Sequence, residues 1–81
     1  MRFPFTPEAQ AQLRAIDRAV ALRILKSIAH FGETGSGDVE PMRGEWQGSY
    51  RLRVGEYRVI FRYIEDALEI LTVGHRSDVY K

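Results

Sequence analysis

Apolar residues in the first third of the chain recur at the three- and four-residue spacing of amphipathic helices. A first helix is predicted from Thr6-Pro7, where threonine can cap and proline suits the first turn, with apolar residues Ala9, Leu13 and Ile16. Asp17 can cap a second helix, which Gly32 would end. Its apolar stripe comprises Val20, Ala21, Ile24, Leu25, Ile28 and Phe31. The short joint between the two predicts a helical hairpin.

From Tyr50 onward the apolar period changes to two, which is typical of strands. Strands are predicted at 50–54, 57–64 and 67–73, joined by turns at Gly55-Glu56 and Glu65-Asp66. Residues 2–5 predict a short first strand, and the glycine-rich segment 32–49 predicts a loop. The sequence therefore predicts an α+β fold, with two N-terminal helices packed on a small, mainly antiparallel sheet.

Composition narrows the class of protein. The length of 81 residues predicts a single domain over residues 1–81, and the absence of cysteine excludes disulfides and cysteine-based metal sites. No apolar run approaches about 18 residues, so no membrane span is predicted, and the lack of cysteine fits the reducing cytoplasm where we expect the protein. The sequence shows no metal-ligand spacing and no phosphate-binding glycine loop, so no metal or cofactor is predicted. The net charge of +1 argues against nonspecific coating of nucleic acid.

Arginines concentrate in the predicted β-hairpin, where four of them stand against one acid between residues 50 and 62. A two-residue turn at 55–56 would pair Arg53 with Arg58 and Leu52 with Val59, and directly opposed residues share a face. One face would then carry Arg51, Arg53, Arg58 and Arg62. The other face, buried against the helices, would carry Tyr50, Leu52, Val54, Tyr57, Val59, Phe61 and Tyr63.

The direct opposition of Arg53 and Arg58 is unusual, because like charges opposed across strands are destabilising. Arginine presents a planar fork of donors that suits phosphate, so the pair predicts an anion site. The alternative is that the two arginines splay into solvent or bridge to Glu45 or Glu56.

A turn at 65–66 gives Arg62 a structural explanation, since it places Glu69 opposite Arg62 as a cross-strand ion pair. The same register would place Leu71 opposite Ile60 and Val73 opposite Arg58. Arg62 is therefore left out of the predicted site.

Several segments together resemble the RelE/ParE superfamily of bacterial and archaeal toxins. They are the helical hairpin, Met42-Arg43-Gly44, Tyr50-Arg51-Leu52-Arg53, the hairpin sequence at 55–61, and the segment from Val73 to Tyr80. The resemblance covers almost the whole chain and is closest to the RelE branch. It implies two helices on an antiparallel sheet, a partner antitoxin, and, in the RelE branch, cleavage of mRNA in the ribosomal A site.

The resemblance also implies the site residues, which are Arg51, Arg53, Arg58, Arg76 and Tyr80. The first three would also bind the substrate. Several RelE-type toxins carry lysines where this chain has Arg51 and Arg53. Because an arginine side chain keeps its proton and is a poor proton carrier, we assign these two a purely electrostatic role.

Metal-free RNA cleavage needs a base for the 2′-OH proton, an acid for the leaving 5′-oxygen, and cations for the phosphorane charge. Tyr80 is the candidate base, because a phenol among arginines should ionise more readily, although it could instead stack on a nucleobase. Arg76 would donate to the leaving oxygen or neutralise it. His75 is a further candidate, but it should point away from the face of its neighbour Arg76 and could hydrogen-bond loop backbone instead.

The leading hypothesis is a type II toxin, a ribosome-dependent endoribonuclease whose partners are mRNA on the ribosome and a cognate antitoxin. Two alternatives stay open: a ParE-like inhibitor of DNA gyrase without nuclease activity, and a degenerate, nontoxic member of the family.

Overall fold

The computed structural model describes residues 1–79; Tyr80 and Lys81 lie outside the described residues. Two helices, α1 (Pro7–Ala15) and α2 (Arg18–Thr34), precede the strands β1 (Val39–Pro41), β2 (Tyr50–Val54), β3 (Tyr57–Ile64) and β4 (Ala67–His75). A 3-10 turn spans Gly44–Trp46. The predicted α+β fold, with two helices followed by an antiparallel sheet, is confirmed. Within the described residues, no helix is long and apolar enough to cross a membrane.

Side chains just before each helix determine where it begins. The Thr6 hydroxyl oxygen accepts a hydrogen bond from Ala9 N–H at 3.2 Å, and the Asp17 carboxylate accepts one from Ala19 N–H at 3.2 Å. Each bond satisfies an amide that has no acceptor inside the helix. Both predicted N-caps are confirmed.

The predicted end of α2 at Gly32 is wrong. The helix continues to Thr34 and closes at Gly35, whose φ of +71° is left-handed and whose N–H donates to Phe31 O at 2.8 Å. Glycine adopts this conformation without the clash of a Cβ atom. Gly32 lies inside the last turns, where a Cβ would meet Leu68 and Met1 at an ordinary distance of 3.9 Å.

The described strands form one antiparallel sheet in the order β1-β2-β3-β4. The sequence assigned β1 to a loop, but residues 39–41 pair with 52–50 of β2. Three residues are too few to show an alternating pattern, so β1 is recognised as a strand only through its pairing with β2. Residues 2–5, predicted as a strand, instead make two isolated parallel bridges to β4, at Arg2 and Phe5.

A β-bulge at Leu71 changes the predicted pairing of β3 with β4. Arg62 opposes Glu69 as predicted, and their side chains pair at 2.6 Å. Beyond the bulge, Ile60 opposes Thr72 rather than Leu71, and Arg58 opposes Gly74 rather than Val73. The predicted register was wrong there because it assumed an uninterrupted ladder.

Hydrogen bonds from α1 and its cap satisfy the backbone around this bulge. The Gln12 amide oxygen accepts Val73 N–H at 2.6 Å, and the Thr6 hydroxyl donates to Leu71 O at 3.0 Å. These contacts join residues more than 60 positions apart in the chain. The bulge is thus held by tertiary contacts that a strand pattern does not encode.

The core lies between α2 and the inner face of the sheet. Leu52, Val54, Val59 and Phe61 are buried there in one cluster with Ile24, Ile28 and Phe31 of α2. Tyr63 lies on this face as predicted, with its ring against those of Tyr50 and Phe61, but it is 50% exposed rather than buried. On the outer face, Ile60 is fully buried among its strand neighbours.

The two glycines at the end of α2 give a direct stability test. Gly35→Ala should lower the free energy of unfolding by about 1 kcal/mol, because it forces a Cβ into the left-handed region. Gly32→Ala should leave it unchanged or raise it by up to about 1 kcal/mol, because alanine favours a helix interior. Urea denaturation of both variants measures the difference. Equal destabilisation at the two positions would contradict the observed helix end.

Candidate nucleic-acid interface

The β2–β3 hairpin carries the predicted cationic face. Gly55 adopts a φ of +58° in its two-residue turn, and the predicted pairs from Val54–Tyr57 to Arg51–Ile60 are confirmed. The inner positions of both strands are buried, so the alternating arginines occupy the opposite face. We call this surface the arginine face; its members are Arg51, Arg53, Arg58 and Arg62.

Arg53 and Arg58 oppose each other, but their side chains turn to different acceptors. Nη1 of Arg58 donates to the carbonyl oxygens of Gly55 and Tyr57, each at 2.9 Å. Nε of Arg53 lies 4.0 Å from Oδ2 of Asp38, and its side chain is 60% exposed. These acceptors differ from Glu45 and Glu56, which the sequence suggested. The like-charge contact is relieved because each guanidinium is drawn toward its own oxygen atoms.

Arg51 is held by β1, the strand that the sequence missed. It stands opposite Glu40 in the ladder, and its Nη2 lies 2.7 Å from Oε2 of Glu40. The side chain of Arg51 is 31% exposed, about half the value for Arg53. Asp38 and Glu40 are therefore part of the site's electrostatics. Their acidic character was visible in the sequence, but their position beside the arginines depends on the pairing of β1.

Arg76 is brought to the hairpin by contacts with its turn. Its backbone N–H donates to Glu56 O at 2.8 Å, and its Nε lies 2.6 Å from Oε2 of Glu56. The turn at 55–56 therefore contacts both Arg58 and Arg76. The structure thus gathers Arg51, Arg53, Arg58 and Arg76 at and around one hairpin.

The chain after β4 turns back over the arginine face. The amides of Asp78 and Val79 donate to His75 O at 2.8 and 3.0 Å. A Cβ built on Gly74 would lie 3.5 Å from the Cβ of Val79. Gly74 stands directly opposite Arg58, so that contact is on the face of Arg58. Tyr80, predicted as a site residue, follows Val79 and lies outside the described residues.

His75 lies on the inner side of the sheet. It opposes Tyr57, and the two rings meet edge to face with centroids 5.6 Å apart. Its Nδ1 accepts the Ser77 N–H at 3.2 Å and lies 2.8 Å from the Ser77 hydroxyl oxygen. A neutral His75 therefore carries its proton on Nε2. The bond from the Ser77 amide agrees with the account in which His75 hydrogen-bonds loop backbone.

The chemistry that this arrangement can supply is charge stabilisation by guanidinium groups. Within residues 1–79, no group of three or more His, Cys, Asp or Glu side chains could hold a metal ion. Exposures of 60% for the Arg53 side chain and 62% for that of Arg76 leave both accessible to a phosphate that exchanges for the present carboxylates. Guanidinium–phosphate contacts are charge-assisted and can be bidentate.

Solved structures with the same fold include toxins and toxin–antitoxin complexes. A toxin in a RelBE2 complex from Mycobacterium tuberculosis matches with a TM-score of 0.80 and 23% identity, over 93% of this chain and 96% of that one. The RelB–RelE complex from Methanococcus jannaschii matches with a TM-score of 0.76 and 23% identity, over 95% of this chain and 94% of that one. Isolated RelE from E. coli matches with a TM-score of 0.76 and 21% identity, over 98% of this chain and 89% of that one. At this level of identity these likenesses show a shared fold.

The match to a protein family identifies the chain more directly than these shared folds do. Residues 4–80 match the family described as the ParE toxin of the type II toxin–antitoxin system parDE. No curated protein matches the chain. The family match spans nearly all of the chain, including both helices, the sheet and the arginine face. The protein therefore belongs to the ParE toxin family of type II toxin–antitoxin systems, within the RelE/ParE superfamily that its motifs resemble.

Proposed function

We propose that this type II toxin is a ribosome-dependent endoribonuclease that cleaves mRNA in the A site. The observation that carries the proposal is the gathering of Arg51, Arg53, Arg58 and Arg76 around one hairpin. Several cations grouped around one hairpin suit a reaction in which negative charge develops on a phosphate. The proposal includes a cytoplasmic location, where translating ribosomes are found.

In the proposed reaction the 2′-oxygen of the RNA attacks the adjacent phosphorus, and the bond from phosphorus to the 5′-oxygen breaks. The products are a 2′,3′-cyclic phosphate and a 5′-hydroxyl. Arg51, Arg53 and Arg58 bind the phosphate and stabilise its extra charge. Tyr80 takes the 2′-OH proton, and Arg76 stabilises the charge on the leaving 5′-oxygen until solvent water protonates it. His75 has no role in this scheme, because Tyr57 and Ser77 hold it on the inner side of the sheet.

The electrostatics of the protein support the proposed dependence on the ribosome. Its net charge is +1, and Arg51, Arg53 and Arg76 have carboxylates nearby. Nonspecific RNA affinity comes mainly from uncompensated cations, so the free protein should bind RNA weakly. The ribosome then supplies the positioning that the protein lacks.

The proposed protein partner is a cognate antitoxin. RelE of M. jannaschii was solved together with an antitoxin, RelB, and the present chain shares its fold. An acidic or amphipathic segment laid over the arginine face would compete with RNA phosphate for the same guanidinium groups.

A second candidate function is inhibition of DNA gyrase without RNA cleavage, and the description of the matching family as ParE toxins favours it. Gyrase inhibition requires a binding surface but no convergent phosphate site. The grouping of the arginines therefore favours the nuclease. A degenerate, nontoxic protein is the third candidate.

Primer extension on a defined mRNA, with and without programmed ribosomes, tests the main proposal. We expect cuts at the A-site codon only when ribosomes are present. Absence of cuts by a folded protein, together with inhibition in a supercoiling assay, would favour the gyrase inhibitor. Absence of both activities would favour the nontoxic protein.

Arg58→Ala should lower the rate of ribosome-dependent cleavage by about 10²- to 10³-fold, because it removes a cation from the developing charge. Arg62→Ala is the matched control, since Arg62 lies on the same strand and face but pairs with Glu69. Its cleavage rate should change by less than about threefold. Cleavage rates under single-turnover conditions, with thermal denaturation to verify folding, measure the contrast. Equal rates for the two variants would contradict the assigned role of Arg58.

Gly74 should position the turn that ends at Val79. Gly74→Leu would place a branched side chain where Val79 now packs, and should lower cleavage about as much as Tyr80→Phe does. Gly74→Ala adds only a Cβ at an ordinary 3.5 Å contact and should retain most of the activity. Nuclear Overhauser contacts between residues 74 and 79 would report whether the turn is displaced. Full activity in a Gly74→Leu variant that has lost those contacts would show that cleavage does not depend on the position of this turn.

A further inference from the structure

A second concentration of positive charge lies beside the arginine face, in a cleft between α2 and the end of β2. The cleft has a volume of about 340 Å³. Its wall on the helix side carries Arg23, Lys26 and His30, and Arg53 borders it from the sheet. We call it the α2 cleft.

Helical geometry directs these side chains into the cleft. Residues 23, 26 and 30 are spaced by three and four positions, so they lie on one face of α2. The neighbouring positions Ile24 and Ile28 are buried in the core, which fixes the rotation of the helix. The basic side chains are therefore held at the rim by the same packing that stabilises the fold.

The charge balance of the α2 cleft favours an anion. Among the described residues that line it, Arg23, Lys26 and Arg53 are cationic, while Asp38 is the one carboxylate. The carboxylate of Asp38 pairs with Arg53 at 4.0 Å rather than with Arg23 or Lys26. The hydroxyls of Ser27 and Ser36 add neutral donors. Guanidinium, ammonium and hydroxyl donors around one space are the groups that bind phosphate oxygens.

The α2 cleft is continuous with the arginine face through Arg53. Strand β1 begins at Val39, which pairs with Leu52, so Arg53 stands just beyond the edge that β1 covers. Its N–H donates to Asp38 O at 2.9 Å, which fixes the backbone there. Arg23 extends to the hairpin turn, where its Nη2 lies 3.7 Å from a Cβ built on Gly55. A chain of phosphates could therefore run from the arginine face around this edge into the cleft.

We propose that the α2 cleft binds a phosphodiester of an RNA strand, separate from the scissile phosphate on the arginine face. This inference rests on the proposed function for the identity of the strand, since a nucleic acid presents phosphates in series. Arg23 and Lys26 hold the phosphate, and Arg53 bridges the two sites. The α2 cleft thereby sets the direction in which the RNA leaves the arginine face.

The test measures binding apart from cleavage. The probes are inorganic phosphate and an eight-nucleotide 2′-O-methyl RNA, which lacks the attacking hydroxyl. Titration of ¹⁵N-labelled protein should shift the amides of Ser27, Ser36 and Gly37 with either probe. In the variant Arg23→Gln/Lys26→Gln these shifts should disappear, and RNA affinity at low salt should fall by about tenfold. The slope of log K against log salt should become shallower by about 1.

A matched variant removes the same charge elsewhere. Arg14→Gln/Arg18→Gln neutralises two exposed arginines that line a different groove, and it should bind RNA within about threefold of the unmodified protein. Equal weakening by the two double variants would overturn the proposal, because net charge alone would then explain binding. A glutamate-rich peptide that shifts the cleft amides, when RNA does not, would also overturn it in favour of a protein ligand.

The two proposals fail separately. If ribosomes support no cleavage but the RNA still binds through Arg23 and Lys26, the nuclease function is wrong and the α2 cleft stands. If cleavage occurs and Arg23→Gln/Lys26→Gln binds RNA as tightly as the matched variant does, the α2 cleft is wrong and the nuclease stands.

Discussion

Burial of the inner face of the β2–β3 hairpin against α2 determines where the cationic groups of this toxin lie. Val59 and Phe61 are almost wholly removed from solvent and pack in one cluster with Ile24 and Ile28. Because side chains alternate along a strand, that burial forces the intervening arginines to the outer face. The same rotation of α2 that buries its isoleucines turns Arg23 and Lys26 to the rim of the α2 cleft. One apolar contact therefore sets both basic surfaces.

The outer face concentrates like charges, and short-range acceptors make this concentration tolerable. Arg58 uses the carbonyl oxygens of its own turn, whereas Arg51, Arg53 and Arg76 use carboxylates from β1 and the turn. Exposed ion pairs of this kind contribute little to stability. Their effect is to orient guanidinium groups that remain accessible to solvent. A phosphate can exchange for these carboxylates without rebuilding the fold, which suits the phosphate site proposed for this face.

The hairpin turn at Gly55-Glu56 contacts basic residues of both proposed sites. Glu56 holds Arg76, the Gly55 carbonyl holds Arg58, and Arg23 of α2 extends to the same turn. The turn after β4 contributes the contact of Val79 with Gly74 opposite Arg58. Segments distant in sequence thus converge on a two-residue turn, whose conformation depends on a glycine with positive φ.

The sequence by itself determined the features that depend on local geometry. Alternation and a two-residue turn predicted the Arg53–Arg58 register, and the side chains of Thr6 and Asp17 predicted both helix starts. Tertiary structure decided the rest. The bulge at Leu71 is stabilised by Gln12 from a distant helix, and β1 exists through its pairing with β2. Neither the bulge nor β1 can be read from a local sequence pattern, because each is stabilised by contacts between segments that are remote in the chain. For the same reason the carboxylate partners of the arginines and the α2 cleft were visible only in the folded protein.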